Sequence, residues 1–477
     1  MNRRDFLKII GSATIVATLT GTLQARGKSQ PNILLVMTDQ QFANGMSCVM
    51  GEKYIHTPNI DSIAADGMRF TRAYCSNPLC VPSRSSMFTG RFPHKHGKQT
   101  NATKPSLDTG EFPTMGTVLR RAGYATGYCG KWHLPYAKDV QEGGFEMTSH
   151  LGGSGNDPKI AAPAIQFIEQ NRDKPFFLVC SFVNPHNICQ YGRSQSLPDG
   201  DVGTPPALEQ CPPAPENLEK ATNQSDSLEA LWQARLRAVW TGGGRMFAPL
   251  NKWTADDWRR YRWAYYRMIE LVDHEMGKIL SALRDAGLER NTVIIFTADH
   301  GDGMGSHRWA QKNMFYDECS RIPLIISRKG ATKPGTSDYL ASNGIDLMPT
   351  VCDYAGAELP PGCKGLSLRP LAEGKTVTKR RSYITCSTHF VQDLREDGEP
   401  IDMQGRMIRT EHFKYYIFDK GRQPETLIDM DNDPSEMVNL AADPALKDVL
   451  SQHRSYLRRY AAETGDEFAL TLLGPGV

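Results

Sequence analysis

The sequence predicts an α/β protein, with a large, mostly parallel sheet sandwiched by helices and a smaller C-terminal α+β part. Three observations carry this expectation. Near-continuous apolar runs at residues 32–37, 176–180 and 293–296 have the character of strands buried on both faces. Helical patterns alternate with these runs, as crossover connections between parallel strands require. From about residue 379 the pattern changes to short strand-like runs separated by Gly- and Asp-rich turns. At 477 residues the chain is long enough for a large core and two domains.

The elements follow in order. The run 32–37 is the first core strand, and residues 61–65 read as a short helix. Met115, Val118 and Leu119 fall at helical spacing within 114–122, and Gly123 stops that pattern. Residues 124–129 form a weaker strand, and 176–180 a strong one. The longest helical pattern, about 256–286, places Ile269, Val272, Met276, Ile279 and Leu280 on one stripe. The run 293–296 closes the series. In the C-terminal part, 382–386 and 413–418 read as strands and about 443–462 as a helix that buries Leu446, Val449, Leu450 and Tyr456. No internal repeat is present.

Composition excludes some classes. With 55 basic and 53 acidic residues the net charge is +2, so no global field favours nucleic acid or an acidic partner. Eleven cysteines contain no Cys-x-x-Cys pair, which argues against a zinc ribbon or a thioredoxin-like site and leaves disulfides open. Arg3-Arg4-Asp5-Phe6-Leu7-Lys8, an apolar run to about Leu19 and the small-residue site near Leu23-Gln24-Ala25 read as a twin-arginine-like export signal over residues 1–27. That run is too short to span a bilayer, and no other stretch qualifies, so no stable membrane insertion is expected. The expected location is the periplasm or cell surface of a bacterium. The expected division is a catalytic domain over 28–375 and a C-terminal subdomain over 376–477.

Ligands of parallel sheets bind beyond the carboxyl ends of the strands. Here those ends read Thr38-Asp39-Gln40, Gly130-Lys131-Trp132-His133, Asn184-Pro185-His186 and Thr297-Ala298-Asp299-His300-Gly301. One Asp after a strand is usually a turn or helix cap. Four such polar ends delivered to one sheet edge are hard to explain that way. The stretch Cys80-Val81-Pro82-Ser83-Arg84 adds a second signal. Pro82 is placed to start a helix. Cys80 then sits at the helix mouth, where free N–H groups favour an oxyanion. Arg84 lies one turn on, with a fork of donors for sulfate or phosphate.

The longer pattern, Cys80-x-Pro82-Ser83-Arg84 through Thr89-Gly90-Arg91, resembles the sulfatase signature. With the four strand ends, almost the whole exported chain resembles the type I, formylglycine-dependent sulfatases of the alkaline phosphatase superfamily. The segments from Ala298 to Asp302 with Lys312, Tyr316 and Arg321-Ile322-Pro323-Leu324, and from Asp431 to Glu436 with Asn439-Leu440, resemble that family too. The resemblance implies an alkaline phosphatase-like sheet and hydrolysis of sulfate esters. It also implies that a formylglycine-generating enzyme oxidises Cys80 before the chain folds. A hydrated aldehyde has two hydroxyls, so one can attack sulfur while loss of the proton from the other expels sulfate. The family match assigns Asp39, Gln40, Asp299 and His300 to a divalent metal, with residue 80 completing the site. It assigns Arg84 to steadying the formylglycine and the metal carboxylates. Lys131 and His133 match the family's Gly-Lys-x-His motif, His133 as the base that collapses the hydrate and Lys131, with Arg84, Lys312 and the cation, as a stabiliser of charge on the sulfate. His186 and Lys312 would grip the sulfate, one of them protonating the leaving alcohol.

Carboxylate and amide oxygens suit Ca2+, and an imidazole also suits Mn2+, with Mg2+ a further alternative. Many family members carry an acidic residue at the position of Gln40 and Asn at that of His300, so His300 either touches the metal or orients Asp299. His307 is expected to support the site or contact substrate, and His94 and His96 to be structural. The same nucleophile would serve a phosphonate monoester or phosphodiester hydrolase, and an unmodified Cys80 would leave a sulfated-glycan binding protein. The expected substrate is a sulfated small molecule or glycan. Residues 187–252, with Trp232, Trp240 and Gly242-Gly243-Gly244, are expected to shape specificity, the tryptophans by packing more than by stacking on sugars. Arg406 and Lys414 are expected as solvated surface charge, with a charged substrate the alternative.

Overall fold

The structure is a computed structural model that describes residues 30–136, 141–237, 250–377 and 380–474. The export signal, Trp240 and Gly242 to Gly244 lie outside the described residues.

The main sheet has eight strands in the spatial order Met147–Ser149, Ala125–Gly130, Phe176–Pro185, Asn32–Asp39, Thr292–Ala298, Leu324–Ser327, Gly67–Phe70, Gly335–Ser337. Seven run parallel, and only Leu324–Ser327 is antiparallel to its neighbours. The apolar runs form its centre: Leu34 pairs with Leu178 on one side and Ile294 on the other. Alternation then splits the central strand between two cores. Ile33, Leu35 and Met37 pack with Met87, Phe88 and Met348, while Leu34 and Val36 pack with Ile269, Val272 and Met276. Helices therefore cover both faces, as the sequence leads one to expect.

The long helix is Ala255–Asp285, one residue from its expected span at either end. Thr254 and Asp257 form a reciprocal capping box at its start. The helix that carries the cysteine motif is Cys80–Thr89, beginning two residues before Pro82. Pro82 still lies in the first turn, where a missing N–H costs nothing. This helix is buried throughout.

The second sheet is an antiparallel meander of Ile384–Phe390, Met403–Arg409, Phe413–Phe418 and Glu425–Asp429. Two of these strands have no counterpart in the sequence reading, and the first begins two residues late. The helix Lys447–Thr464, after a single turn at Pro444–Leu446, lays Leu450, Leu457, Tyr460 and Ala461 against Ile408, Tyr415, Ile417 and Leu427. Arg406 and Lys414 correct the expectation of solvated charge, because both are buried. Arg406 forms a two-pronged pair with Asp466 (2.7 and 3.1 Å). Lys414 sits between Asp317 and Glu436, each at 2.7 Å. The eleven cysteines are all free. Among the described residues no helix is long and apolar enough to cross a membrane.

Candidate active site

Four parallel strands end at one edge of the sheet, and each carries a site side chain at its last residue or immediately after it. Asp39 closes Asn32–Asp39, and Lys131 follows Ala125–Gly130. His186 follows Phe176–Pro185, and Asp299 follows Thr292–Ala298. Gly130 makes the second of these possible. It has φ +100°, and a Cβ there would lie 2.0 Å from the Ser181 carbonyl oxygen. The chain turns against that carbonyl, which accepts from the Lys131 N–H at 2.8 Å.

Cys80, the first residue of its helix, is the hub. Its Sγ lies 2.9 Å from Lys312 Nζ, 3.3 Å from His300 Nε2 and 3.8 Å from Asp39 Oδ1. One ligand atom from each of Asp39, Cys80, Asp299 and His300 lies within 4.8 Å of the others, and all four residues are buried. Arg84, one turn along, spans the two carboxylates: Nε donates to Asp299 at 2.8 Å and Nη2 to Asp39 at 3.1 Å. Its Nη1 donates to Lys131 O and Ser181 Oγ. Lys131 Nζ also donates to Asp39.

The charges offset one another. Burial would raise the Asp39 carboxyl, but Lys131, His186, Lys312 and Arg84 hold it well below the usual carboxylate range. Burial and Asp39 would push the Cys80 thiol up, yet Lys312, Lys131 and His300 hold it well below its ordinary value. Burial, then Lys312 and Lys131, keep the half-buried His186 neutral. Lys312 stays charged against burial because Cys80 and Asp39 face it.

The donor set fits a divalent cation. The Gly301 carbonyl can only accept, so His300 Nδ1 donates to it at 2.9 Å and Nε2 is the ring nitrogen that faces Cys80 and Asp299. Gln40 Nε2 donates to Asp302 at 2.7 Å, while Gln40 Oε1 is buried with no partner among the described residues. Two carboxylates, an unpaired amide oxygen and an imidazole nitrogen are hard-to-borderline donors.

Other sequence-selected residues are less closely engaged. His133 is half-buried with φ 49°, its Nδ1 is unpartnered, and among the described residues no hydrogen bond joins it to Asp39, Cys80 or Asp299. His307 is fully buried and stacked on Tyr316 with ring centroids 3.9 Å apart, and among the described residues no hydrogen bond joins it to Asp39, Cys80, Asp299 or His300. The Trp232 indole donates to the His307 carbonyl at 2.8 Å, which is a packing role. His94 faces Tyr460 and Asp466, and His96 bonds Ser86 and the Lys98 N–H.

Three residues that hold the site were given no role in the sequence reading. Ser181 binds Arg84, Asp302 binds Gln40, and Asn101 Oδ1 takes the Val81 N–H at 3.1 Å, occupying one donor of the helix mouth. Only Asp302 had a local signal, as the second Asp of the segment Asp299 to Asp302.

Two family models match the chain. One is described as Sulfatase, over residues 31–357. The other is described as N-sulphoglucosamine sulphohydrolase, C-terminal, over residues 305–463. A Delta 4,5-hexuronate-2-O-sulfatase of Bacteroides thetaiotaomicron is 28% identical over 465 residues, covering 93% of this chain and 91% of the relative. An N-acetylglucosamine-6-O-sulfatase of the same organism is 29% identical over 480 residues, covering 87% and 84%. Among solved structures, that of a 2-O GAG sulfatase superposes with a TM-score of 0.78 at 27% identity, covering 92% of this chain and 94% of the other.

Proposed function

Because this chain belongs to the sulfatase family and is a sulfuric ester hydrolase, we propose that it removes sulfate from a sulfated glycan, using one divalent cation and a formylglycine made from Cys80. The observation that carries this reading is the buried meeting of residue 80 with Lys312, His300 and Asp39, beneath an arginine that ties both carboxylates together. Residue 80 is a thiol here, and its Sγ stands for the position of the hydrate oxygens. The cation, Ca2+ or else Mn2+ or Mg2+, would be held by Asp39, Gln40, Asp299 and His300 with residue 80. When bound it supplies positive charge that offsets the charge on the sulfate oxygens.

The protein's own groups do the rest. Arg84 bridges the two carboxylates, and Lys131 donates to the same Asp39 oxygen, Oδ2, that Arg84 binds. Lys312, charged and 2.9 Å from residue 80, is placed to hold sulfate as charge moves to the bridging oxygen. A donor of this kind typically contributes about 3–4 kcal/mol of barrier reduction. His186 is neutral in the free protein, so a bound anion would have to raise its affinity for a proton before it could protonate a leaving alcohol. His133 is our assignment for the base that collapses the hydrate, on its match to the Gly-Lys-x-His motif.

A glycan is favoured because the two relatives are named for sulfated sugars, a hexuronate and an N-acetylglucosamine. Export through the twin-arginine-like signal fits such a substrate. The test has two parts. A digest of the purified protein should yield a residue-80 peptide with the mass of formylglycine, not of cysteine. A panel of sulfated mono- and disaccharides, aryl sulfates and phosphonate esters should then show sulfate release that Cys80→Ala abolishes. A thiol at position 80 in fully active protein, or turnover of phosphorus esters alone, would overturn the proposal.

A further inference from the structure

Gln40 presents a choice that a carboxylate would not. Its amide can turn either the oxygen or the nitrogen toward the Asp39–Asp299–His300 cluster, and only the oxygen can bind a cation. The geometry points to Asp302 as the residue that makes this choice: its carboxylate accepts the Gln40 NH2 from behind, so that Oε1 is the atom left facing the cation. The inference rests on Gln40 being a cation ligand.

The contacts support this from both sides. Gln40 Nε2 donates to Asp302 Oδ2 at 2.7 Å, with Cys189 Sγ at 3.7 Å. Gln40 Oε1 is buried and has no partner among the described residues. A buried amide oxygen without a donor is costly, so a second group must satisfy it. Asp302 is itself fixed. The Met304 N–H donates to its Oδ1 at 2.8 Å, and the Tyr261 hydroxyl, from the long helix, approaches both oxygens at 3.3–3.4 Å. The Gln40 backbone is equally held: its N–H donates to Asp299 at 3.1 Å and its carbonyl accepts from the Tyr265 hydroxyl at 2.5 Å. With the main chain pinned at φ 71°, the remaining freedom is the amide flip. Asp302 is a positioning residue, acting through Gln40.

D302N tests this with no change of shape. If the Asn oxygen keeps the Met304 N–H, its NH2 faces Gln40, and the amide of Gln40 must turn its own NH2 toward the cation. Chelator-stripped full chain is titrated calorimetrically with Ca2+ and with Mn2+, and the tighter ion is followed. D302N is expected to weaken binding 10- to 100-fold, the usual effect of losing a partner that orients a ligand. In Q40M, which has no amide to turn, the same D302N change should cost less than threefold. In Q40E either oxygen faces the cation, so Q40E/D302N should bind within threefold of the unsubstituted chain, or more tightly. Equal losses from D302N in the unsubstituted and Q40M backgrounds would mean that Asp302 acts only by its charge, and would overturn the inference. So would a Q40E/D302N variant as weak as D302N. If Q40M alone leaves affinity unchanged, Gln40 is not a ligand, and that reading and this one both fall. Near-UV circular dichroism without metal separates these outcomes from misfolding.

Discussion

Lys414 offers a sharp quantitative test, because sequence alone would leave it in solvent. Its Nζ is fully buried and donates to Phe315 O at 2.9 Å, Asp317 Oδ1 at 2.7 Å and Glu436 Oε1 at 2.7 Å. Burial would lower its pKa, but Asp317 and Glu436 keep it charged. Lys414→Met keeps most of the volume and removes all three bonds. The two carboxylates then differ in what remains to them. Asp317 keeps the Tyr74 hydroxyl at 3.0 Å and Arg321 at 3.0 Å. Among the described residues, Glu436 keeps only the Asp317 N–H, at 2.6 Å. Breaking a buried pair while stranding its partner costs about 3–5 kcal/mol. A solvated lysine would cost within about 0.5 kcal/mol. Equilibrium urea unfolding at about pH 8.5, above the raised titration range of Glu436, separates the two readily. The double variant Lys414→Met/Glu436→Gln removes the stranded charge as well, so it should regain about half of the loss. A single variant within about 1 kcal/mol of the unsubstituted chain would refute this account. So would a double variant as damaged as the single one.

Glu436→Gln tests the same cluster by pH. Burial pushes the Glu436 carboxyl up to about 7, Lys414 opposing and Asp317 adding to it. A raised native pKa gives stability that is full below about 4.5 and lost as pH rises through about 7, a swing of about 3 kcal/mol, and the variant should lack that swing in urea midpoints measured across the window. Parallel profiles would exclude it. Arg84→Lys cannot span both carboxylates, so kcat/KM should fall at least about 100-fold with the fold retained by circular dichroism. Lys312→Met should lower kcat by about 100- to 1000-fold. A rise in KM alone would instead mean that Lys312 binds substrate and transition state equally. Chelation should abolish turnover and lower the thermal midpoint, because a cation at 100 times its Kd adds about 2.7 kcal/mol to the native state.

What the sequence revealed follows from the range over which each signal acts. The central strands announced themselves because both faces are buried and their middle residues, Ile33 to Met37 and Val293 to Phe296, are all apolar, a signal contained in a few consecutive positions. Gly335–Ser337 and Met147–Ser149 did not. They are three-residue edge strands with no buried run, and their backbone pairing is set by neighbours far away in sequence. The reactive groups were legible because strand ends concentrate them locally. Their supports were not, because Ser181 meets Arg84 across 97 positions and Asp302 meets Gln40 across 262. The buried cations show the same limit from the other side. Lys414 can be buried only because Asp317 and Glu436 reach it, and Arg406 because Asp466 does, 60 residues later. A lysine's burial is therefore a property of a pair. Side chains that do the chemistry declare themselves by type, but those that aim them declare themselves only by their partners. That is why the orientation of a single amide at Gln40, settled by one carboxylate, is invisible in the sequence and decisive in the site.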